Sequence, residues 1–285
     1  MAFSSREGVS LRPCANADLM PSKDILVRLH RTFCSLLFDP LDILRRWRGL
    51  PYYFFNLCQW KTRNKDRRFR FSLADAWYTS YDRFLPAGMA SGHYFHQDLW
   101  AARHLHARGV KLHIDVGSSL NFVAHVLPFC EVEQVDLRPL ESDVSGVTHK
   151  KGSILNLPYG EDSIDSLSCL HVIEHIGLGR YGDPVDPDGH VKAASEMVRV
   201  LKPGGILLLG TPVGRERLCF DAHRIFNPET VVSMFRGLKL IEFSLIDDKG
   251  NAPTPDADFK RSEECRYGCG LFVFTKFVFT KEEQQ

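Results

Sequence analysis

From Gly92 onward the sequence alternates short apolar runs with segments whose apolar residues recur every three or four positions, and few folds accept that alternation. The runs lie at Lys111–Val116, Val132–Asp136, Val147–Lys150, Ile164–Leu170, Gly205–Gly210, Leu238–Ile246 and Leu271–Phe279. Helical segments fit between them at Leu120–Leu127, Val191–Leu201 and Pro228–Phe235. A further helix, His93–Arg108, precedes the first run, with Phe95, Leu99, Ala102 and Leu105 on one face and Gly109 as its stop. Strands that alternate with helices build parallel βαβ units. The expected fold is therefore α/β, a doubly wound, mostly parallel sheet of seven strands. The last two runs, joined by a polar loop with Pro253 and Pro255, are expected to form a terminal antiparallel hairpin.

Residues 1–92 read as an N-terminal extension or cap, partly helical, ahead of a main domain at 93–285. Residues 1–21 are polar and carry no element. Ser22 can cap a helix through Ile25, Leu26, Leu29, Phe33 and Leu36, which Pro40 interrupts, and a short helix through Leu41, Leu44 and Trp47 follows. Residues 50–92 show no clean period. Between Arg45 and Arg70 nine Lys/Arg face the single acid Asp66, interleaved with Tyr52, Tyr53, Phe54 and Phe55. Three readings of this stretch stand: a cap with solvated charges, a peripheral surface for anionic lipid or a lipid-linked acceptor, and a nucleic-acid surface. The last is disfavoured because no nucleic-acid-binding module is recognisable and the formal net charge is only +1.

No run reaches 18 uninterrupted apolar residues and the first thirty residues hold no signal-peptide core, so the chain reads as cytoplasmic. The eight cysteines are scattered, several within apolar runs, as small buried residues of a reducing compartment are. Cys265 and Cys269 have no second pair beside them and are not read as a zinc site.

In a doubly wound sheet, ligands bind beyond the C-terminal ends of the strands where strand order reverses. The first run ends in Asp115-Val116-Gly117-Ser118-Ser119, where Gly117 permits a tight turn and Asp115 can accept a hydrogen bond from a ligand amine. The second ends in Asp136, twenty-one residues after Asp115, placed to accept the two hydroxyls of a ribose. The third leads into Gly152-Ser153-Ile154, a small polar residue and an apolar one suited to the edge and face of an adenine. The fourth contains Asp165 and ends in His171-Val172-Ile173-Glu174-His175. Ten Asp/Glu against four Lys/Arg between Asp136 and His190 favour a cationic ligand there.

In this order and spacing the segments resemble the class I S-adenosylmethionine-dependent methyltransferases over about residues 92–280. Gly92-His93-Tyr94-Phe95-His96-Gln97-Asp98-Leu99, Glu174–Asp183 and Ala222-His223-Arg224-Ile225-Phe226 resemble, more narrowly, an uncharacterised methyltransferase-like family known only as a domain of unknown function. The wider resemblance implies S-adenosylmethionine as cofactor. Asp115 and Gly117 would contact its methionine part, Asp136 its ribose, and Ser153 and Ile154 its adenine. Two positions depart from the pattern. Ser119 replaces a glycine, which costs about 1–2 kcal/mol if the turn needs a left-handed residue, and Ser153 replaces an acid. These departures support a rival reading, a binding or scaffold protein that no longer catalyses. A dinucleotide-dependent oxidoreductase is disfavoured because the first turn lacks G-x-G-x-x-G.

His171-x-x-Glu174-His175 also spells a zinc-hydrolase pattern, but that chemistry needs a helix, and Gly177, Gly179, Gly182 and Pro184 follow at once. A divalent ion held by His171, Glu174 and His175 stays open as an accessory, and no metal is assigned. In the catalytic reading, His171, Glu174, His175 and His223 sit on the acceptor side, and one of them takes a proton from the hydroxyl of a small acceptor, with a sugar or glycan precursor as one class. In the structural reading they orient the loop after the fourth strand. Arg224 pairs with an anionic substrate group or stacks on Phe226. The loop with Asp183, Asp186, Asp188 and His190 is a substrate lid or a solvated turn.

Overall fold

The computed structural model describes residues 40–74, 76, 82–84, 88, 90–138 and 140–277. The chain divides into two compact units, Met1–Met89 and Ala90–Gln285. The expected helix from Ser22 to Leu36 lies outside the described residues, as does the end of the last run, Val278–Phe279.

In the first unit a helix, α1 (Pro40–Arg63), runs straight through Pro51. The expectation of a short helix ending near Trp47 is corrected by this. A proline removes one i→i−4 hydrogen bond, and a helix of 24 residues retains enough others to continue. Trp47, Phe54, Phe55 and Trp60 are exposed on it. Part of the basic cluster is engaged with rings: Arg48 stands 4.3 Å over Phe84 and Lys61 4.5 Å over Phe71, while Arg83, outside the cluster, stands 4.3 Å over Tyr52. Among the described residues no helix is long and apolar enough to cross a membrane.

The second unit begins with α2 (His93–Ala107), followed by β1 (Leu112–Val116), α3 (Leu120–Val126), β2 (Glu131–Asp136), β3 (Val147–Lys151) and β4 (Ile164–Leu170). Next come α4 (Gly189–Val200), β5 (Leu201–Val213), β6 (Arg217–Cys219), β7 (His223–Ile225) and α5 (Pro228–Met234). The chain then continues through β8 (Leu238–Ile246), β9 (Thr254–Pro255), α6 (Phe259–Glu263) and β10 (Gly268–Lys276). The main sheet has the order β3-β2-β1-β4-β5-β10-β8-β9, with β1 to β5 parallel. β10 enters antiparallel between β5 and β8, so the expected antiparallel pairing of the last two long strands is present. The two-residue β9 adds an eighth, edge strand.

Both faces of the sheet are covered, which is why its central strands read as continuous apolar runs. The period of two sorts their residues. Leu207, Leu209, Phe272 and Phe274 pack with Ala193, Met197, Val231 and Phe235, whereas Leu208, Leu271 and Val273 face Trp100, Leu105, Phe122 and Val126. Each such apolar side chain contributes about 1.5–3 kcal/mol by leaving water. The hairpin β6–β7 and the short α6 were not expected, because runs of three to five residues carry no measurable period.

Candidate functional site

The chain runs from β1 outward to β2 and β3, then returns to place β4 on the other side of β1. That reversal opens a crevice at the ends of β1 and β4, and a cleft of about 630 Å³, counting its open mouth, lies there. Gly117, Asp136, Ile154, His171, His175 and Tyr181 line it, with Arg138, Val172 and Asp183 beside them.

Gly117 takes φ +67°, and a Cβ there would press on Val172 Cγ1 at 3.3 Å, so the turn calls for glycine on two counts. Asp136 ends β2 and uses one oxygen locally: Oδ1 accepts from the Arg138 backbone N–H at 2.7 Å. Its Oδ2 faces the Gly117 turn, 3.7 Å from where that Cβ would stand. Arg138 turns its guanidinium over the Tyr181 ring at 4.6 Å.

Asp115 is not on the cleft wall. It is fully buried, and its carboxylate accepts from Ser168 Oγ at 2.6 Å, from the Ser118 N–H at 3.1 Å and from Gln134 Nε2 at 3.2 Å. Burial raises its pKa, against the pull of those donors. The residue expected to touch a ligand amine instead holds the floor of the turn. Behind it, His113 donates from Nε2 to Ser168 Oγ and accepts at Nδ1 from Ser166 Oγ, both at 2.8 Å. This tautomer follows from Ser168 spending its own proton on Asp115. Burial drives the His113 pKa down to about 3.

Ser119 caps α3 at φ −66°, accepting from the Phe122 N–H at 3.2 Å and donating to Asp98 Oδ2 at 3.1 Å. The strain considered for a serine at this turn is absent, since its φ is negative. Ser153 accepts from the Leu155 N–H at 3.2 Å and stays off the wall, while its neighbour Ile154 is on it.

After β4 the chain makes a single 3-10 turn, Ile173–His175. His171 is held at φ +55°, a conformation that costs a non-glycine residue about 1 kcal/mol or more and that tends to mark functional sites. Its Nδ1 meets buried Glu174 Oε1 at 2.8 Å, and Thr211 donates to Glu174 Oε2 at 3.4 Å. Burial opposes a charged His171, but the Cys269 sulfur and the Glu174 carboxylate outweigh it and hold its pKa well above the usual value. His175 donates from Nδ1 to the Ala222 carbonyl at 2.6 Å, so Nε2 carries the lone pair, 3.7 Å from Glu174 Oε1. His223 stands off the wall, its ring centroid 6.4 Å from that of His175 and 5.0 Å from Tyr267; burial chiefly lowers its pKa.

Arg224 donates to the carbonyls of Ile176 at 2.7 Å and Pro187 at 3.3 Å, so it clamps the loop after β4. The loop is closed on itself as well: Asp183 Oδ2 accepts from the Gly177 N–H at 2.7 Å, and the Asp186 N–H donates to the Gly177 carbonyl at 2.9 Å.

Of the expected site residues, the cleft brings together Gly117, Asp136, Ile154, His171 and His175. Asp115, Ser119, Ser153, Glu174 and His223 stand behind or beside it. Sequence reasoning missed Tyr181 and Arg138 on the wall, and it gave no role to His93, Tyr94, Tyr267 and Cys269, which surround His171. His93 and Tyr94 lay within a quoted motif, and that was their only signal.

A reversal at β1/β4, a glycine turn facing a strand-end acid, and a last strand inserted antiparallel form the sheet that the sequence resemblance implies. The chain has a doubly wound α/β fold with a mostly parallel sheet. Residues 158–254 match a family described as Caenorhabditis protein of unknown function, DUF268. No curated protein matches. Among solved structures, the N-methyltransferase NodS from Bradyrhizobium japonicum WM9 in complex with S-adenosyl-L-homocysteine is 18% identical, with a TM-score of 0.43 over 63% of this chain and 84% of that one. The 1,6-didemethyltoxoflavin-N1-methyltransferase of Burkholderia thailandensis is 13% identical, with a TM-score of 0.45 over 93% and 94%. The cyclase SpnF is 15% identical, with a TM-score of 0.47 over 64% and 81%.

Proposed function

We propose that the cleft binds S-adenosylmethionine and that the chain transfers its methyl group to a small hydroxyl-bearing acceptor, with sugars and glycan precursors the first class to screen. The observation that carries this reading is Asp136: a strand-end carboxylate with one oxygen fixed by the backbone and the other turned to the glycine turn. The residues present fit the cofactor. Asp136 Oδ2 is available to ribose hydroxyls, Gly117 lets backbone approach the ligand, and Ile154 gives an apolar surface to a base. When bound, S-adenosylmethionine supplies an electrophilic methyl group, and the protein's task is mainly alignment.

On the acceptor side, His175 is the group suited to take a proton, because its Nδ1–H is fixed and its Nε2 lone pair is not. His171 and Glu174 act as a positioning pair beside it, and His223 stands farther back. The rival scaffold reading loses one support, since Ser119 is unstrained.

Calorimetric titration with S-adenosylmethionine and S-adenosylhomocysteine tests the site. Replacing Asp136 by alanine is expected to weaken binding by on the order of 1–3 kcal/mol, roughly five- to 150-fold. Unchanged affinity in a folded Asp136→Ala protein removes the ribose assignment. Turnover with a labelled methyl donor separates an enzyme from a scaffold.

For the first unit, the exposed aromatics and basic residues of α1 support a peripheral contact with anionic lipid. Sedimentation with anionic vesicles at low salt, released at high salt and absent with neutral vesicles, is the expected result. Indifference to vesicle charge discards that contact.

A further inference from the structure

The end of β4, the start of β10 and the start of α2 bring together a donor set that no strand-end pattern foretells. β4 and β10 are the two neighbours of β5, and because β10 is antiparallel its first residues arrive at the edge where β4 finishes. There a ring nitrogen of His93, a ring nitrogen of His171 and the sulfur of Cys269 all lie within 4.8 Å of one another. Among the described residues this is the only group of three or more His, Cys, Asp or Glu so gathered.

Three further observations converge on it. His171 Nε2 is enclosed and meets no nitrogen or oxygen partner; the group beside it is the Cys269 sulfur. His171 is also braced from behind, its other ring nitrogen meeting Glu174 at 2.8 Å. Metal-ligating histidines are oriented in this way, by a carboxylate or a carbonyl on the second ring nitrogen. Finally, Cys269 is fully buried and is not in a disulfide, and besides these neighbours its sulfur meets only the Gly270 carbonyl, at 3.9 Å.

We propose that His93, His171 and Cys269 bind one thiophilic divalent ion of the zinc type, with a fourth coordination position left open. Two imidazoles and a thiolate suit zinc among the common divalent ions, and three protein ligands with an open position are the pattern of a site that does chemistry. Zinc bonds of about 2.0–2.3 Å put tetrahedral donors about 3.5 Å apart, so no pair of the three atoms closes by more than about 1.3 Å on binding. The His93 ring lies parallel to that of His171, with centroids 5.4 Å apart, and His93 is the least buried of the three. His93 is therefore the side chain that turns to point its lone pair at the ion. His171 is shared with the cleft wall, so the ion stands beside the cleft, where a thiol in its open position is held deprotonated and the pKa of a bound water is brought to about 7. The site rests on its donor set and not on methyl transfer.

The test is spectroscopic. Chelator-stripped protein is titrated with cobalt(II), which reports thiolate ligation as a charge-transfer band in the near ultraviolet. One equivalent giving that band, displaced by zinc, is expected. Cys269→Ser is expected to lose the band, and His93→Ala to keep it while binding zinc at least tenfold more weakly. His93 is only half-buried, so the second variant carries the test if the first does not fold. Folded wild-type protein without the band overturns the proposal, as does cobalt binding unchanged in both variants. Neither readout depends on S-adenosylmethionine, so failure of the methyl-transfer reading is seen separately.

Discussion

Between pH 7 and pH 5 the protein is expected to lose about 2 kcal/mol of stability through His113 alone, the slope approaching about 1.4 kcal/mol per pH unit below pH 6. Burial keeps its folded pKa at about 3, below the value of about 6.5 in the unfolded chain. The unfolded chain therefore takes up the proton first on acidification. The stability this group supplies is complete above about pH 6.5 and falls as pH descends toward 3. Asp115 works in the opposite sense, since its pKa is raised and protonation favours the folded state. His104, His190 and His223, all lowered chiefly by burial, act in the same sense as His113. A comparison with His113→Gln isolates the one contribution. Urea unfolding at pH 7 and pH 5 should show a clearly smaller pH difference in the variant, which is also less stable at pH 7 because its serines lose a partner. An equal pH difference in both proteins would show that His113 is not the responsible group.

Substituting alanine at Gly177 is expected to cost about 3 kcal/mol, the sum of a left-handed backbone penalty and a steric one. Its φ is +80°, and a Cβ there would lie 1.9 Å from the carbonyl oxygen of Asp186. The closing bond from Asp186 to Gly177 then has to open, which frees the loop that carries Asp183 on the cleft wall. For a unit of this size that corresponds to a fall in melting temperature of about 6–12 °C. Gly182 supplies the control: its φ is +83°, but nothing lies within 4 Å of its Cβ position. Gly182→Ala should show only the backbone part, about 1–2 kcal/mol. Equal effects of the two substitutions would mean that the contact with Asp186 does not hold the loop.

The strands of the sheet were legible because burial on both faces leaves unbroken apolar runs, and Asp136 was legible because spacing alone puts an acid at the end of the second strand. Asp115 shows where that logic stops. Position at a strand end says that a carboxylate is near the crevice, not that Ser118, Gln134 and Ser168 already occupy its oxygens. The same limit applies to His93 and Cys269, which lie 176 residues apart and meet only because β10 returns antiparallel beside β5. No local pattern encodes that meeting. In the first unit, residues 50–92 show no clean period, so only a short helix through Trp47 was legible, whereas the helix continues past Pro51 to Arg63 because a single missing hydrogen bond is a small fraction of a long helix.

The insertion of β10 between β5 and β8 also fixes when the molecule can become whole during synthesis. Until the residues up to Lys276 have left the ribosome, β5 has no partner on its β10 side and β8 has no neighbour joining it to the rest of the sheet. From the completion of β5 until β10 follows it, the nascent chain thus presents a long, apolar strand unpaired on one side, the kind of surface that chaperones shield. The cleft between β1 and β4 can form earlier, from residues already made, whereas the cluster around His171 waits for Cys269. Completion of the cleft lining and completion of the neighbouring donor set are thereby separated in time by the order in which the strands are made.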